Sequence, residues 1–191
     1  MATTNTTDPA KVRLRNVRLS FPHLFKPHAM EAGQEPKYSA TFLLDPAVHA
    51  AEIASIKEAG NTVAMTFWNG KPPSGVKFCL RDGNEKSDLD GYAGMLFVPA
   101  GNKRAPVVVD EQVQPLNATD NKPYAGCYVN ATVRLWVQDN KYGKRVNASL
   151  EAVQFVADGE PFGAPGVSAE EEFSPVGATA GKPPASVGNL F

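Results

Sequence analysis

The sequence has few of the features by which enzymes, secreted proteins and membrane proteins are recognised. Its two cysteines, Cys79 and Cys127, lie far apart and outside any CxxC pair. That usage excludes a disulfide framework and fits small buried thiols in a reducing compartment. The three histidines, His23, His28 and His49, have no metal-binding spacing with each other or with cysteine. There is no P-loop, no GxSxG and no dinucleotide fingerprint. No apolar run approaches a membrane span, and the opening MATTNTTDPAK lacks the apolar core of a secretion signal. The expectation is a soluble intracellular protein, in which the sequons at Asn117, Asn130 and Asn147 are chance matches. The acidic stretch 82–91 fails as a calcium loop: aligning Asp88, Asp90 and Gly91 to the EF-hand pattern puts Lys86 at the first ligand position and Phe97 at the last. A two-metal site of Asp82, Asp88 and Asp90 would crowd one loop. The residues call for no cofactor and no metal.

What is present is one domain's worth of chain, 191 residues with ordinary apolar content and sixteen each of glycine and proline. The net charge of −1 hides an asymmetry. Residues 157–191 carry five acids against Lys182 alone, a net −4, which leaves +3 for residues 1–156. A mildly basic body with an acidic tail suits a nucleic-acid binder, but only if the cations cluster.

Residues 1–10 are polar and read as a disordered N-terminus. KVRLRNVRLSF (11–21) reads as a strand whose parity shifts near Asn16, so a bulge is expected there, with Arg13, Arg15 and Arg18 outward. The Pro-rich stretch 22–36 reads as a long loop. KYSATFLLD (37–45) alternates, with Tyr38, Ala40, Phe42 and Leu44 on one face. Asp45-Pro46 then starts a helix running to about Ala59 with Gly60 as its C-terminal cap. WNGKPPSG (68–75) and LRDGNEKSDLDG (80–91) read as loops, and GMLFVPA (94–100) and PVVVD (106–110) as strands. The strongest signal is 126–139, where Cys127, Val129, Ala131, Val133, Leu135 and Val137 form an apolar face. Asn140–Gly143 turns the chain into an antiparallel partner, 144–158, whose parity shifts near Glu151. After Asp158 periodicity ends, which predicts a flexible acidic tail over 158–191. Five to six strands, one helix and long loops describe a mainly β, OB-fold-like Greek-key barrel over 11–157.

Sequence-independent binding of a single strand needs cations for phosphates and exposed rings for bases, each stacked base contributing roughly 1–3 kcal/mol. One candidate surface is the polar side of the long strand, which carries Tyr128, Arg134 and Trp136 at positions of one parity. Trp136 equally fits a ring packed beneath a loop or the helix. A second cluster is Arg81, Lys86, Tyr92, Phe97, Lys103 and Arg104, for which the competing reading is a solvated loop with both rings in the core. Lys71 and Trp68 could extend it. A third is the hairpin tip Lys141, Tyr142, Lys144 and Arg145.

Six blocks in order, NVRLSFPHLFKP (16–27), PKYSATFLL (36–44), LRDGNEKSDLDGY (80–92), Lys103 to Asp110, GCYVNATVRLWVQDN (126–140) and VQFVADGEPFG with SAEEEF, make the chain resemble the small single-stranded-DNA-binding proteins of tailed bacteriophages, a family formerly described as a domain of unknown function. The resemblance implies an OB-fold that coats single-stranded DNA in phage replication and recombination, in the cytoplasm of the infected bacterial host. It also implies no enzymatic activity, self-association along DNA, and a C-terminal tail that modulates binding and recruits replication or recombination proteins. In the tail the relevant residues are Glu170, Glu171, Glu172 and Phe191. The final GKPPASVGNLF departs from the family's pattern, having a lysine and no acid. Two rivals stand beside this reading: a phage structural or assembly module that binds proteins, and a metal-dependent DNA-processing enzyme.

Overall fold

The period-2 runs of the sequence become strands, and five of them close on themselves. The computed structural model describes residues 8–29 and 32–163. In chain order its elements are β1 (Lys11–His28), β2 (Lys37–Leu44), α1 (Ala50–Phe67), β3 (Lys77–Phe78), β4 (Arg81–Asp82), β5 (Leu96–Asn102), β6 (Val107–Val109), β7 (Tyr128–Asn140) and β8 (Gly143–Ala157). Antiparallel pairing runs β5–β2–β1–β7–β8, and β8 returns to β5 in parallel at Ala148 and Ala100. That circuit is the five-stranded Greek-key barrel of the OB-fold. Inside it are Leu14, Val17 and Leu19 of β1, Phe42 and Leu44 of β2, Val98 of β5, Val129 and Val133 of β7 and Leu150 of β8, all fully buried. The short β3, β4 and β6 pair only at the margins.

The expected bulges are present. Asn16 adopts φ 51°, and the β1–β7 register shifts between Leu14 and Val17, so both halves of β1 keep their apolar side inward. The β7–β8 register shifts opposite Glu151.

Two boundaries differ from expectation. β1 does not stop at Phe21 but continues to His28 through the stretch expected to be a loop. Beyond Leu19, whose N–H and carbonyl still bond Cys127 and Gly126, it pairs only with β2, so Pro22 and Pro27 lie on a one-sided strand, where proline is tolerated. The helix is displaced to 50–67. Asp45 caps a turn instead, its Oδ1 accepting from Ala47 N at 2.8 Å and its carbonyl from His49 N at 2.8 Å. Gly60 does not end the helix; it is buried beneath the Phe78 ring, which a side chain there would strike. Ile53, Ile56, Ala59 and Ala64 complete the inner stripe, which packs against β1 and β7.

The boundary at 158 also moves. Asp158 accepts from the Tyr124 hydroxyl (3.0 Å) and Lys122 (3.2 Å), bonds that hold its carboxyl below the usual range. Residues 158–163 therefore follow the barrel surface. Residues 1–7 and the tail residues Glu170, Glu171, Glu172 and Phe191 lie outside the described residues. Among the described residues, no helix is long and apolar enough to cross a membrane.

Candidate nucleic-acid interface

Strand pairing decides which side chains share a surface. Leu43 opposes both Arg18 and Phe97, Thr41 opposes Ser20 and Pro99, and Ser39 opposes His23 and Gly101. Side chains of one parity project together from the barrel, so these three rows make a continuous outer face on β1, β2 and β5. The two rows beyond Leu43 are floored by small residues, Ser39, Thr41, Pro99 and Gly101. A fourth row begins with His28 opposite Lys37 and leads towards Lys103 and Arg104, which follow β5 and are exposed.

The rows at Leu43 are closed by the 80–95 loop. Asp82 caps its 3-10 turn, Gly83–Lys86, by accepting from Asn84 N at 2.9 Å. Tyr92 then plugs into a small second core with Leu43 and Phe97, flanked by Leu89 and Phe162. Its hydroxyl donates to Ser20 Oγ at 3.2 Å. Gly83 is required there, because a Cβ would strike the carbonyls of Tyr92 and Met95.

This arrangement corrects part of the expected site. Tyr92 and Phe97 are 1% and 2% exposed, so neither ring can stack on a base. They hold the loop down, and Arg81 and Lys86 lie 5.1 and 5.5 Å from the Phe97 ring centre, with Arg81 also paired to Glu85 at 2.7 Å. Lys103 pairs with Glu35 at 2.6 Å at the other end of the face.

Arg134 and Trp136 project from the part of β7 that lies across the barrel from β2 and β5 and do not join this face, whereas Tyr128, at the start of β7, pairs with Arg18 and extends the Leu43 row. Arg134 is neutralised by Asp8 and by Glu151, the latter at 2.9 Å. Tyr128 lies under the Arg18 guanidinium at 5.7 Å. Trp136 is 43% exposed and borders an apolar groove with Phe67 and Thr66 of α1, so it is both exposed and beside the helix. Trp68 is tied by its indole N–H to Asp139 Oδ2 at 2.9 Å.

The rings the front face does present are Phe21, His23 and His28, none of which was expected to contact a ligand. Phe21 has φ 46° and is 49% exposed; the local kink turns its ring outward at 6.5 Å from Tyr92. His23 and His28 stack with centroids 4.4 Å apart and planes 12° apart. His49 differs: it is buried, accepts from Asp45 N through Nδ1 (2.9 Å) and donates from Nε2 to Asn16 O (3.1 Å). The hairpin tip Lys141, Tyr142, Lys144 and Arg145 is exposed, and β3 places Lys77 beside Arg145. The acids Asp82, Asp88 and Asp90 do not converge; Asp90 accepts from Gly163 N at 2.9 Å, and no group of three metal-binding side chains occurs among the described residues.

The chain leaves the barrel at this same face. Arg18 donates to Gly126 O (3.2 Å) and Glu160 O (2.6 Å) while its guanidinium covers the Phe162 ring at 4.3 Å. Residues 158–163 thus cross from β7 over β1 to the second core, ending at Asp90.

Known proteins share this architecture. A bacteriophage Enc34 single-stranded DNA-binding protein, solved in complex with ssDNA, superposes with a TM-score of 0.73 at 34% identity, covering 81% of this chain and 90% of its own. The T7 single-stranded DNA-binding protein gp2.5 shares the fold at a TM-score of 0.50 and 14% identity, covering 85% of this chain and 93% of its own. Protein p50 of Acyrthosiphon pisum secondary endosymbiont phage 1 is 44% identical over 172 residues, 85% of this chain and 92% of that protein. The family model described as "Enterobacter phage Enc34, ssDNA-binding protein" matches residues 10–182, and the chain belongs to that family.

Proposed function

We propose that this protein binds single-stranded DNA without sequence preference, with the strand lying across the β1–β2–β5 face. The observation that carries the reading is the floor of Ser39, Thr41, Pro99 and Gly101, rimmed by rings on β1 and by cations at both ends. The β2–β5 surface, the β1–β2 loop and the β7–β8 loop are where OB-folds take oligonucleotides. Small floor residues let the backbone approach, Phe21 offers a stacking surface, and Lys37, Lys103 and Arg104 supply charge at one end with Arg81 and Lys86 at the other. The floor carries no Arg, Asn or Gln of the sort that reads base edges. Tyr142 and its lysines extend the path at the hairpin tip. The solved Enc34 relative, at 34% identity, supports the same ligand here.

The wider role proposed is non-catalytic coating and protection of ssDNA in phage replication and recombination, in the host cytoplasm, with copies associating along the strand. The tail is proposed to modulate binding. Its origin at Gly163 is fixed beside the front face, and Glu170–Glu172 follow within ten residues of Phe162, close enough to compete for the same cations. Phe191 is proposed to contact replication or recombination partners.

The test is fluorescence-anisotropy titration of labelled oligo-dT across a salt series. The expected result is saturable binding with a log–log salt slope of about −0.7 per phosphate contacted. Absence of binding at low salt, in both the full chain and a form lacking residues 164–191, would overturn the proposal.

A further inference from the structure

Two of the three histidines form a structure that coating a strand does not by itself require. His23 and His28 stand on the part of β1 that runs past the barrel, with rings nearly parallel at 4.4 Å. Their cross-strand partners are Ser39 and Lys37. Among the described residues, the charged groups nearest in the register are Lys26 on the same strand, Lys37 on β2, Glu35 in the preceding loop, and Lys103 and Arg104 after β5; Glu35, the acid among these, is engaged by Lys103. The pair therefore has, among the described residues, cationic neighbours in the register, and the acid beside it is already paired.

We infer that the His23–His28 stack is a proton-gated contact for the phosphate backbone of the bound strand. The inference rests on the proposed ssDNA-binding reading and adds a residue role to it. Neutral stacked rings offer an aromatic surface; a proton converts one of them into a donor that a phosphate oxygen can accept from. Two full charges 4.4 Å apart would repel each other. Burial and the neighbouring His28 already lower the affinity of His23 for a proton in the free protein. An arriving phosphate reverses that balance, so binding takes up a proton, and affinity must rise as pH falls through the range where His23 is charged in the complex and neutral in the free protein. His49 is buried with both ring nitrogens engaged inside the protein and lies outside this face.

The test is the affinity for oligo-dT, whose bases do not titrate near neutrality, between pH 8 and pH 5.5 at fixed salt, for the full chain and for His23→Gln/His28→Gln. The wild type is expected to tighten by about tenfold, one pKa unit of linkage, while the double variant changes by less than about twofold. Equal pH dependence in both would overturn the inference while leaving strand binding intact. No binding at pH 8 by the wild type would overturn the ssDNA reading and this inference with it. Independently of any variant, the His23 and His28 ring C–H resonances at pH 6.5 should move towards their protonated positions when oligo-dT is added; unmoved resonances in the saturated complex would also overturn it.

Discussion

Phe21 is a large apolar side chain held half-exposed on the front face, where the proposed function gives it a use. Its ring stands outside the barrel on a backbone of positive φ, so removing it leaves the core packing intact. Phe21→Ala should weaken oligo-dT binding by about 1–3 kcal/mol, one stacked base, with an unchanged melting temperature; a stability loss without an affinity change would assign it to packing instead. Tyr92 predicts the opposite. Tyr92→Phe should cost about 1 kcal/mol of stability by removing the bond to Ser20, as read by denaturant unfolding, and leave affinity at low denaturant unaltered. The two buried cysteines are pushed up to about 12 (Cys79) and about 11 (Cys127), in both cases chiefly by burial. Both thiols should resist alkylation at pH 8 in the native protein and react once it is unfolded, and mass spectrometry distinguishes the two. At this scale sequence alone was least informative. An aromatic on an alternating strand reads the same whether its neighbour is solvent or a loop, so Tyr92 and Phe97 could not be separated from Phe21 without knowing that the 80–95 loop folds back.

Among elements, the barrel strands were legible because each carries a period-2 pattern that survives its bulges; the shift at Asn16 is visible as a change of parity. The far half of β1 was not legible, because two prolines signal a loop unless one knows that the strand has a neighbour on one side only. The helix was displaced for a related reason: Asp45-Pro46 is a sound helix start by local chemistry, yet it serves the turn before the helix, and Gly60 continues because Phe78 needs the space. The 80–95 loop behaves as an element in its own right, pinned by Tyr92 and Phe162. Gly83→Ala should destabilise the protein severely, since two backbone carbonyls occupy the space its Cβ needs, and a fall in thermal midpoint reports it. The β7–β8 hairpin tip has the reverse character. Replacing Lys141, Lys144 and Arg145 by Ala should leave stability unchanged and flatten the salt dependence of binding by about 0.7 for each phosphate no longer neutralised.

At the scale of the whole molecule, the closed barrel puts the two surfaces proposed from sequence on different sides. The cations of the second cluster lie at the front with Tyr128 at its β7 margin, while Arg134 and Trp136 lie across the barrel, so residues close in chemistry are not close in space. The bulk charge asymmetry was legible; where the chain leaves the barrel was not, because Phe162 looks like any other residue of a Gly/Pro-rich stretch until it is found packed on Gly91 beneath Arg18. Removing residues 164–191 takes away the acidic triplet and should tighten oligo-dT binding at low salt, with the difference vanishing as salt screens it; equal affinities throughout would exclude tail competition. Photo-crosslinking of a halogenated oligo-deoxyuridine followed by peptide mass spectrometry locates the strand on the barrel. Adducts at Phe21, His23 or His28, with or without Tyr142, are the predicted result. Adducts confined to Trp136 would place the strand on the far side of the barrel and overturn the proposed location.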